Sequence, residues 1–324
     1  MKPITPRARR IWRVVGFIAL ALGTAVLVDH LNYPWGKPIS APTGNKGENG
    51  LWLRYTHYFG EKRDDELITL ANDLKKYKIR WAYFHVRFIK KDGTLNFRYP
   101  EKARKMLGTL RNTNPNVKAL AWTYAGNSHG EGAVDLANPA VRAAMVKEAV
   151  WLCTECGFDG VEWDYEICPS GDPNLLKLLD ETRAALPKGK TLAVCAPAWL
   201  PLGSLFGWSE AYISEVAARC DQIQVMCYDT GFITPRAYVW LAAQNVMRFT
   251  NAARPECRIW LGVPTYGTGF RSHNPRAENL ENAIRGVREG LAQVEHPERF
   301  GGIAPFADYT TDDDEWRTYE RLWK

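Results

Sequence analysis

Acidic side chains occupy every second position near the end of residues 158–166, which read FDGVEWDYE. They are Glu162, Asp164 and Glu166. A β-strand turns successive side chains to opposite faces, so the acids would share one face and the apolar residues between them the other. Repulsion between neighbouring carboxylates, together with loss of water, raises the pKa of at least one of them. A carboxylic acid that stays protonated near neutral pH can act as a general acid, and the segment therefore predicts an acid–base site.

Two other interpretations of the same acids remain open. A basic residue that points into the site, such as Arg87, would neutralise one carboxylate in a salt bridge. Alternatively, the acids would together bind a divalent metal, because hard cations prefer oxygen ligands. The sequence shows no pair of histidines at a strand end to support a metal-dependent hydrolase, and we expect neither a metal nor another cofactor.

The elements that would position these acids alternate from residue 51 to the end of the chain. Strand-like apolar runs are predicted at 51–58, 79–88, 117–124, 158–166, 191–197, 222–229, 258–266 and 301–308. Helical runs are predicted at 64–77, 100–112, 139–156, 173–186, 208–219, 235–250, 277–291 and 312–323. Eight predicted strands and eight predicted helices indicate an α/β fold, a (β/α)8 TIM barrel over residues 51–324. In this fold the active site lies at the C-terminal ends of the strands. An open doubly wound sheet is the alternative, but no glycine-rich phosphate loop follows the first strand.

Several segments resemble one known family when they are taken together. Residues 158–166 resemble the acidic D-G-x-D-x-D-x-E strand of glycoside hydrolase family 18, the chitinase-type barrels. Residues 226–229 (MCYD) are similar to the family's M-x-Y-D after strand six, and residues 261–267 (LGVPTYG) to its L-G-x-P-x-Y-G on strand seven. Residues 81–95 look like strand two with its following turn. The resemblance runs across residues 51–310.

The resemblance implies a role for each matching residue. Glu166 would be the general acid, Asp164 would orient the N-acetyl group of the substrate, and Tyr228 would hydrogen-bond the same group. The reaction implied is retaining hydrolysis in which the acetamido oxygen of the substrate is the nucleophile, a scheme that requires no metal. Further substrate-binding residues are expected at Glu162, Asp229, Tyr266, Phe306, Trp199 and Tyr124.

Three strands depart from the family's pattern. Glu162 stands where the family has Asp or Asn, and residues 121–126 (AWTYAG) replace its small S-x-G-G segment. Strand eight lacks the Trp that floors the sugar subsite, and Phe306 would stand in for it with less stacking area. The connection after strand seven is too short for an inserted domain, which predicts an open groove. Trp199 and Trp208 are candidates for stacking on sugars, with packing against a helix as the alternative.

The N-terminus carries most of the net charge of +6. Five of the 42 basic residues precede the first acid, which leaves 37 against 36 and gives no basic face for nucleic acid. A basic start followed by the apolar run 14–28 predicts that residues 1–28 are a signal peptide or signal anchor. Residues 29–50 then read as a linker. The barrel would lie outside the cytoplasm, membrane-anchored or exported, and is expected to be a monomer.

The seven cysteines are an odd number, so at least one thiol is unpaired within the chain. Cys153 and Cys156 form a C-x-x-C inside a helical run, without the second pair that a zinc ribbon needs. Cys220 and Cys257 precede neighbouring strands, where a disulfide would be possible. Most of the others read as small buried hydrophobes.

The sequence as a whole predicts hydrolysis of β-linked N-acetylhexosamine glycans, either chitin-like or derived from peptidoglycan. The alternative from another class is a catalytically silent barrel that binds glycans. The intact Glu166 favours the enzyme, whereas the altered strands three and eight favour the binding protein.

Overall fold

Parallel strands form one sheet in chain order in the computed structural model, which describes residues 6–34, 39–126, 134–166, 168–201, 207–267 and 273–324. The strands are β1 Asn49–Leu53, β2 Ile79–Phe88, β3 Lys118–Gly126, β4 Gly160–Tyr165, β5 Thr191–Pro197, β6 Gln222–Met226, β7 Arg258–Pro264 and β8 Phe300–Phe306. The first and last strands also lie side by side, and Asp308 N donates to Trp52 O at 3.0 Å across that seam. The predicted (β/α)8 barrel is confirmed, and the open doubly wound sheet is wrong.

Helices follow the strands as the alternation predicts. They are α1 Pro6–Asn32, α2 Tyr55–Tyr58, α3 Asp64–Lys76, α4 Pro100–Thr113, α5 Pro139–Thr154, α6 Pro173–Ala185, α7 Glu210–Ala217, α8 Pro235–Ala252, α9 Leu280–Leu291 and α10 Asp313–Leu322, with a short 3-10 helix at Pro297–Arg299. Helices α5, α6 and α8 begin at a proline that follows Asn138, Asp172 and Thr234, whose side chains each accept a backbone N–H. Proline suits this position because its missing N–H would have no partner inside the helix.

The strand predicted at residues 51–58 ends five residues earlier than the sequence suggests, the largest such difference among the strands. Residues 51–58 were expected to be extended throughout, but β1 ends at Leu53 and Tyr55–Tyr58 form one helical turn. The cause is the carboxylate of Asp308, which accepts Arg54 N at 3.0 Å and lies 2.8 Å from His57 Nε2. These bonds draw the chain out of the sheet and across the end of the barrel.

The strands separate two layers of buried side chains. The outer layer lies between the strands and the helices and contains Val161, Trp163 and Tyr165 of β4. The inner layer is aromatic and includes Trp52, Tyr83 and Trp122 from the first three strands, with small residues opposite on β5 and β8. The alternation along β4 therefore turns its acids into the barrel, as the spacing predicts.

The cysteines sit inside this framework as buried free thiols. Cys220 and Cys257 precede the paired strands β6 and β7, and their sulfur atoms lie 3.9 Å apart without a disulfide. Cys153 lies on α5, whereas Cys156 lies just beyond the end of that helix.

Helices α8 and α9 approach each other through glycines. A Cβ at Gly286 would lie 2.5 Å from Val239 O and 2.6 Å from the Cβ of Ala242. Gly290 on α9 faces α8 in the same way, with Ala243 O 2.8 Å from its would-be Cβ. Close approach of these two helices fixes the positions of the loops after β6 and β7.

We predict that Gly286→Ala lowers the free energy of unfolding by about 1–3 kcal/mol, because the added methyl overpacks the α8–α9 contact. Gly108 on α4 is the matched control, since a Cβ there meets no atom within 4 Å. Gly108→Ala should raise the free energy of unfolding by up to ~1 kcal/mol through helix propensity. Urea unfolding followed by circular dichroism measures both changes, and equal stabilisation by the two substitutions would contradict the packing argument.

Candidate active site

Two carboxylates of β4 lie inside the barrel and are held by indole groups. Glu162 is fully buried and Asp164 is 3% exposed. Trp52 Nε1 donates to Glu162 Oε2 at 3.0 Å, and Trp122 Nε1 donates to Asp164 Oδ2 at 2.8 Å. Each acid therefore depends on an aromatic side chain from another strand for its position.

The second oxygen of each carboxylate differs in its surroundings. With its amide oxygen and nitrogen assigned from the surrounding hydrogen-bond partners, Gln224 directs its nitrogen to Glu162 Oε1 at 3.1 Å and to Val194 O at 3.0 Å. Asp164 Oδ1 is buried and accepts no hydrogen bond from the described residues. A buried carboxylate oxygen without a donor is costly, so this atom is suited to receive an N–H or O–H group from a ligand.

Burial makes both inner acids weaker. It raises the pKa of Asp164 to about 6, against an opposing effect of the hydrogen bond from Trp122. Burial also raises the pKa of Glu162 well above its ordinary value, and the neighbouring charge of Asp164 adds to the rise. The pair thus holds a proton in a pH range where ordinary carboxylates are ionised. Arg87 lies over the ring of Tyr55, 4.7 Å from its centroid, and the inner acids receive indole donors instead of this guanidinium.

Glu166 lies just beyond the end of β4 and is exposed. Its backbone N–H donates to Gly126 O at 2.9 Å, which fixes the turn that follows the strand. The three acids thus divide into two that are buried in the barrel and one at its mouth. The exposed position leaves the Glu166 side chain accessible from outside the barrel, whereas the two inner acids are enclosed.

An aromatic cluster lines the same end of the barrel. Phe306, at the end of β8, stacks on Tyr228 with ring centroids 4.7 Å apart and an interplanar angle of 21°. The same phenyl ring lies 5.7 Å from the ring of Trp52, 6.0 Å from that of Trp122 and 6.4 Å from that of Tyr266. Phe306 therefore occupies the centre of the predicted sugar floor, in contact with the indoles that hold the acids.

A polar cluster joins the loops after β6 and β7. Tyr266 Oη donates to Asp229 Oδ1 at 2.9 Å, and burial raises the pKa of Asp229. His273 Nδ1 lies 3.6 Å from Asp229 Oδ1 and 3.5 Å from the buried Glu278 Oε2. Thr230 donates its N–H and its hydroxyl to Glu278. The cluster ties Asp229 into both loops beside the aromatic floor.

The metal alternative from the sequence does not match the arrangement of the β4 acids. Within the described parts of the chain, the one group whose ligand atoms converge closely enough for a metal ion is Asp229, His273 and Glu278, within 4.8 Å of one another. Glu162, Asp164 and Glu166 do not form such a group there, because Glu166 lies outside the barrel while the other two are enclosed.

The remaining predicted aromatic residues differ in their positions. Tyr124 of β3 pairs in register with Asp164 and is half-buried. Trp208 is 1% exposed and donates to Cys168 O at 3.1 Å, so the expectation that it stacks on sugars is wrong. Trp199 packs toward α8, with the Arg248 guanidinium 4.0 Å from its ring centroid. For both tryptophans the contacts are those of the packing alternative.

The sequence did not indicate the residues that hold the acids. Trp52 lies 110 positions from Glu162, and Trp122 stands out in the sequence only as part of residues 121–126, which replace the family's S-x-G-G segment. The available signal was the alternation of side chains along β1 and β3, which places both tryptophans at positions that point into the barrel. Gln224 carries the same signal, because a polar residue within an apolar strand requires a buried partner.

Comparison with known proteins identifies the family. The model of glycosyl hydrolases family 18 matches residues 54–322, and the chain belongs to this family of glycoside hydrolases. Chitinase 1 of Aphanocladium album is 24% identical over 217 residues, which are 57% of this chain and 48% of that protein. Chitinase A1 of Niallia circulans is 26% identical over 202 residues, 51% of this chain and 28% of that protein. The chain thus spans about half or less of the length of these relatives.

Solved structures share the barrel at low sequence identity. The spore cortex-lytic enzyme SleL of Bacillus cereus has a TM-score of 0.61 and 14% identity, with coverage of 90% of this chain and 76% of that chain. The Group IV chitinase of Ostrinia furnacalis has a TM-score of 0.61 and 16% identity, with coverage of 85% and 98%. These likenesses establish the fold, and the family match confirms the resemblance inferred from the motifs.

We predict that Asp164→Asn stabilises the protein at pH 8 but not at pH 4. The raised pKa of Asp164, about 6 against an ordinary 3.8, contributes stability below pH 4 that is lost as the pH rises through 6. Asn cannot ionise, so the free energy of unfolding of Asp164→Asn should exceed that of the parent by on the order of 3 kcal/mol at pH 8. Urea unfolding at both pH values measures it, with the exposed Glu155→Gln as control. Equal stability of Asp164→Asn and the parent at pH 8 would show that Asp164 is not strained by burial.

Proposed function

We propose that the protein hydrolyses β-linked N-acetylhexosamine glycans with retention of configuration and with the substrate's acetamido oxygen as nucleophile. The observation that carries the proposal is the pairing of a buried, partly unsatisfied Asp164 with an exposed Glu166 at the same strand end. In this proposal Asp164 holds a polar group of the sugar inside the barrel mouth. Glu166 protonates the oxygen of the leaving group.

The proposed steps follow from these two positions. Glu166 donates a proton to the glycosidic oxygen as the bond to the anomeric carbon breaks, and the acetamido oxygen attacks that carbon. Asp164 Oδ1 accepts the acetamido N–H, and its negative charge stabilises the ring that forms. Water then opens the ring while Glu166 recovers the proton. Tyr228 contacts the same sugar from the floor that it shares with Phe306.

The substrate class rests on the family and on the floor of the site. Two of the relatives are called chitinases and one structural neighbour is a spore cortex-lytic enzyme. We propose a chitin-like or peptidoglycan-derived glycan for this chain. Phe306 offers a smaller face than Trp, which suits a less tightly stacked sugar.

The proposed location of the site is outside the cytoplasm. Helix α1 is long and apolar enough to cross a bilayer, with mean hydropathy 2.1 over its most apolar window and none of that window buried. We propose that residues 1–28 form a signal or anchor and residues 29–50 connect it to the barrel at 51–324. The barrel is proposed to act as a monomer on its glycan.

A second candidate function is glycan binding without turnover. Trp122 of β3 favours it, because its indole lies within the mouth, donates to Asp164 and contacts Phe306 at a ring distance of 6.0 Å. The indole of Trp122 narrows the space in the barrel mouth, and a sugar must change its ring conformation there in order to react. Intact Glu166 favours catalysis, so the binding protein is the outcome that an activity measurement must exclude.

We predict that Glu166→Gln lowers kcat/KM on a fluorogenic N-acetylglucosamine oligomer by about 10²–10⁴-fold, because an amide cannot protonate the leaving oxygen. The matched control is Glu155→Gln, which changes an exposed carboxylate just after α5 and should keep the parent's rate. Oligomer binding by calorimetry should persist in Glu166→Gln. Turnover by this variant within twofold of the parent would contradict the role of Glu166, and binding without turnover by the parent would establish the second candidate.

A further inference from the structure

The end of α1 lies against the barrel at two helix starts. Asp29 Oδ1 lies 2.5 Å from Arg236 Nε, and Arg236 Nη2 donates to Asn32 O at 2.9 Å. Tyr33 is 7% exposed and its hydroxyl donates to Asn282 Oδ1 at 2.6 Å. These contacts place the last turn of the apolar helix beside the first turns of α8 and α9.

The contacted helix starts belong to the catalytic end of the barrel. Helix α8 follows β6 and α9 follows β7, so their first residues lie at the carboxyl ends of those strands. Tyr228 and Asp229 follow β6, and Tyr266 follows β7, at the same end. The chain leaves α1 at the rim of the groove, not at the opposite face of the barrel.

Exposed apolar side chains collect on this rim. Outside α1, the large hydrophobic residues exposed in the described chain are Ile68, Ile233, Trp240 and Tyr309. Ile233 is 66% exposed and Trp240 is 44% exposed, and both lie within four residues of Arg236. The ring of Trp199 adjoins Trp240 with centroids 6.0 Å apart. Tryptophan beside arginine is typical of the membrane–water interface, where an apolar ring and a charged group are both accommodated.

We propose that the β6–α8 rim, defined by Ile233, Arg236 and Trp240, rests on the surface of a lipid bilayer. The inference rests on the proposed crossing of the membrane by α1, whose last turn contacts this rim through Arg236. A bilayer crossed by α1 ends where Asp29 begins the polar end of the helix. The rim beside Asp29 is then the part of the barrel closest to the lipid headgroups.

This placement narrows the substrate class. The groove opens at the carboxyl ends of the strands, next to the rim, so it takes glycan that lies close to the bilayer. A membrane-attached or nascent glycan strand fits this geometry better than a distant insoluble polymer. The anchor holds the barrel at the bilayer, and the apolar rim would fix which face of the barrel turns toward the lipid headgroups.

The test uses full-length protein in nanodiscs of phosphatidylcholine and phosphatidylglycerol. The natural cysteines are buried, so a Cys introduced at Ile233→Cys accepts an environment-sensitive NBD label. The matched control is Ile68→Cys on α3, which is 43% exposed and follows β1, three barrel positions away from β6. Nitroxide-labelled lipids should quench the label at 233 at least threefold more than the label at 68.

Three outcomes would overturn the proposal. These are equal quenching at the two sites, stronger quenching at 68, and protein that separates from the nanodiscs during gel filtration. The labelled Glu166→Gln protein should give the same quenching ratio as the labelled parent. Failure of glycan hydrolysis and failure of membrane contact are therefore distinguished, because the quenching measurement requires no turnover.

Discussion

The burial of two neighbouring carboxylates inside the barrel is the constraint on which this site depends. Glu162 and Asp164 remain there because Trp52 and Trp122 each donate an indole N–H, and because a raised pKa lets the pair hold a proton. The aromatic rings that supply these donors also fill the barrel interior. Trp52 and Trp122 therefore both fill the barrel interior and stabilise the buried acids, so a change in either ring alters the packing and the pKa of the acid beside it.

The burial of the inner acids also explains why the acids at and after β4 differ in their exposure. Alternation turns Val161, Trp163 and Tyr165 to the helices, where Trp163 Nε1 donates to Thr182 Oγ1 at 3.2 Å. The inward acids are enclosed until the strand ends, and Glu166 emerges where the chain turns. A single strand thus presents a weak buried acid and an accessible acid at the same end of the barrel.

Much of this arrangement could be predicted from local pattern. The alternation of strands and helices, the facing of the β4 acids and the rise in their pKa values follow from periodicity and charge. The hydrogen-bond partners of the acids could not be predicted, because Trp52 is 110 residues distant from Glu162. Which tryptophan reaches which acid depends on strand register. The helical turn at Tyr55–Tyr58 could not be predicted for the same reason, since it is fixed by Asp308, which adjoins it in space but lies about 250 residues away along the chain. The sequence left stacking on sugars and packing against a helix both open for Trp208, because the burial of its ring and its bond to Cys168 O depend on tertiary packing.

The central claim is that Asp164 and Tyr228 receive the N-acetyl group of a sugar that lies on Phe306. The crystal structure of Glu166→Gln with an N-acetylglucosamine tetramer tests it most directly. We expect an acetamido nitrogen within hydrogen-bond distance of Asp164 Oδ1, the acetamido oxygen beside the anomeric carbon and the sugar ring over Phe306. A tetramer bound with its acetamido groups turned to solvent, and Asp164 Oδ1 left without a partner, would contradict it.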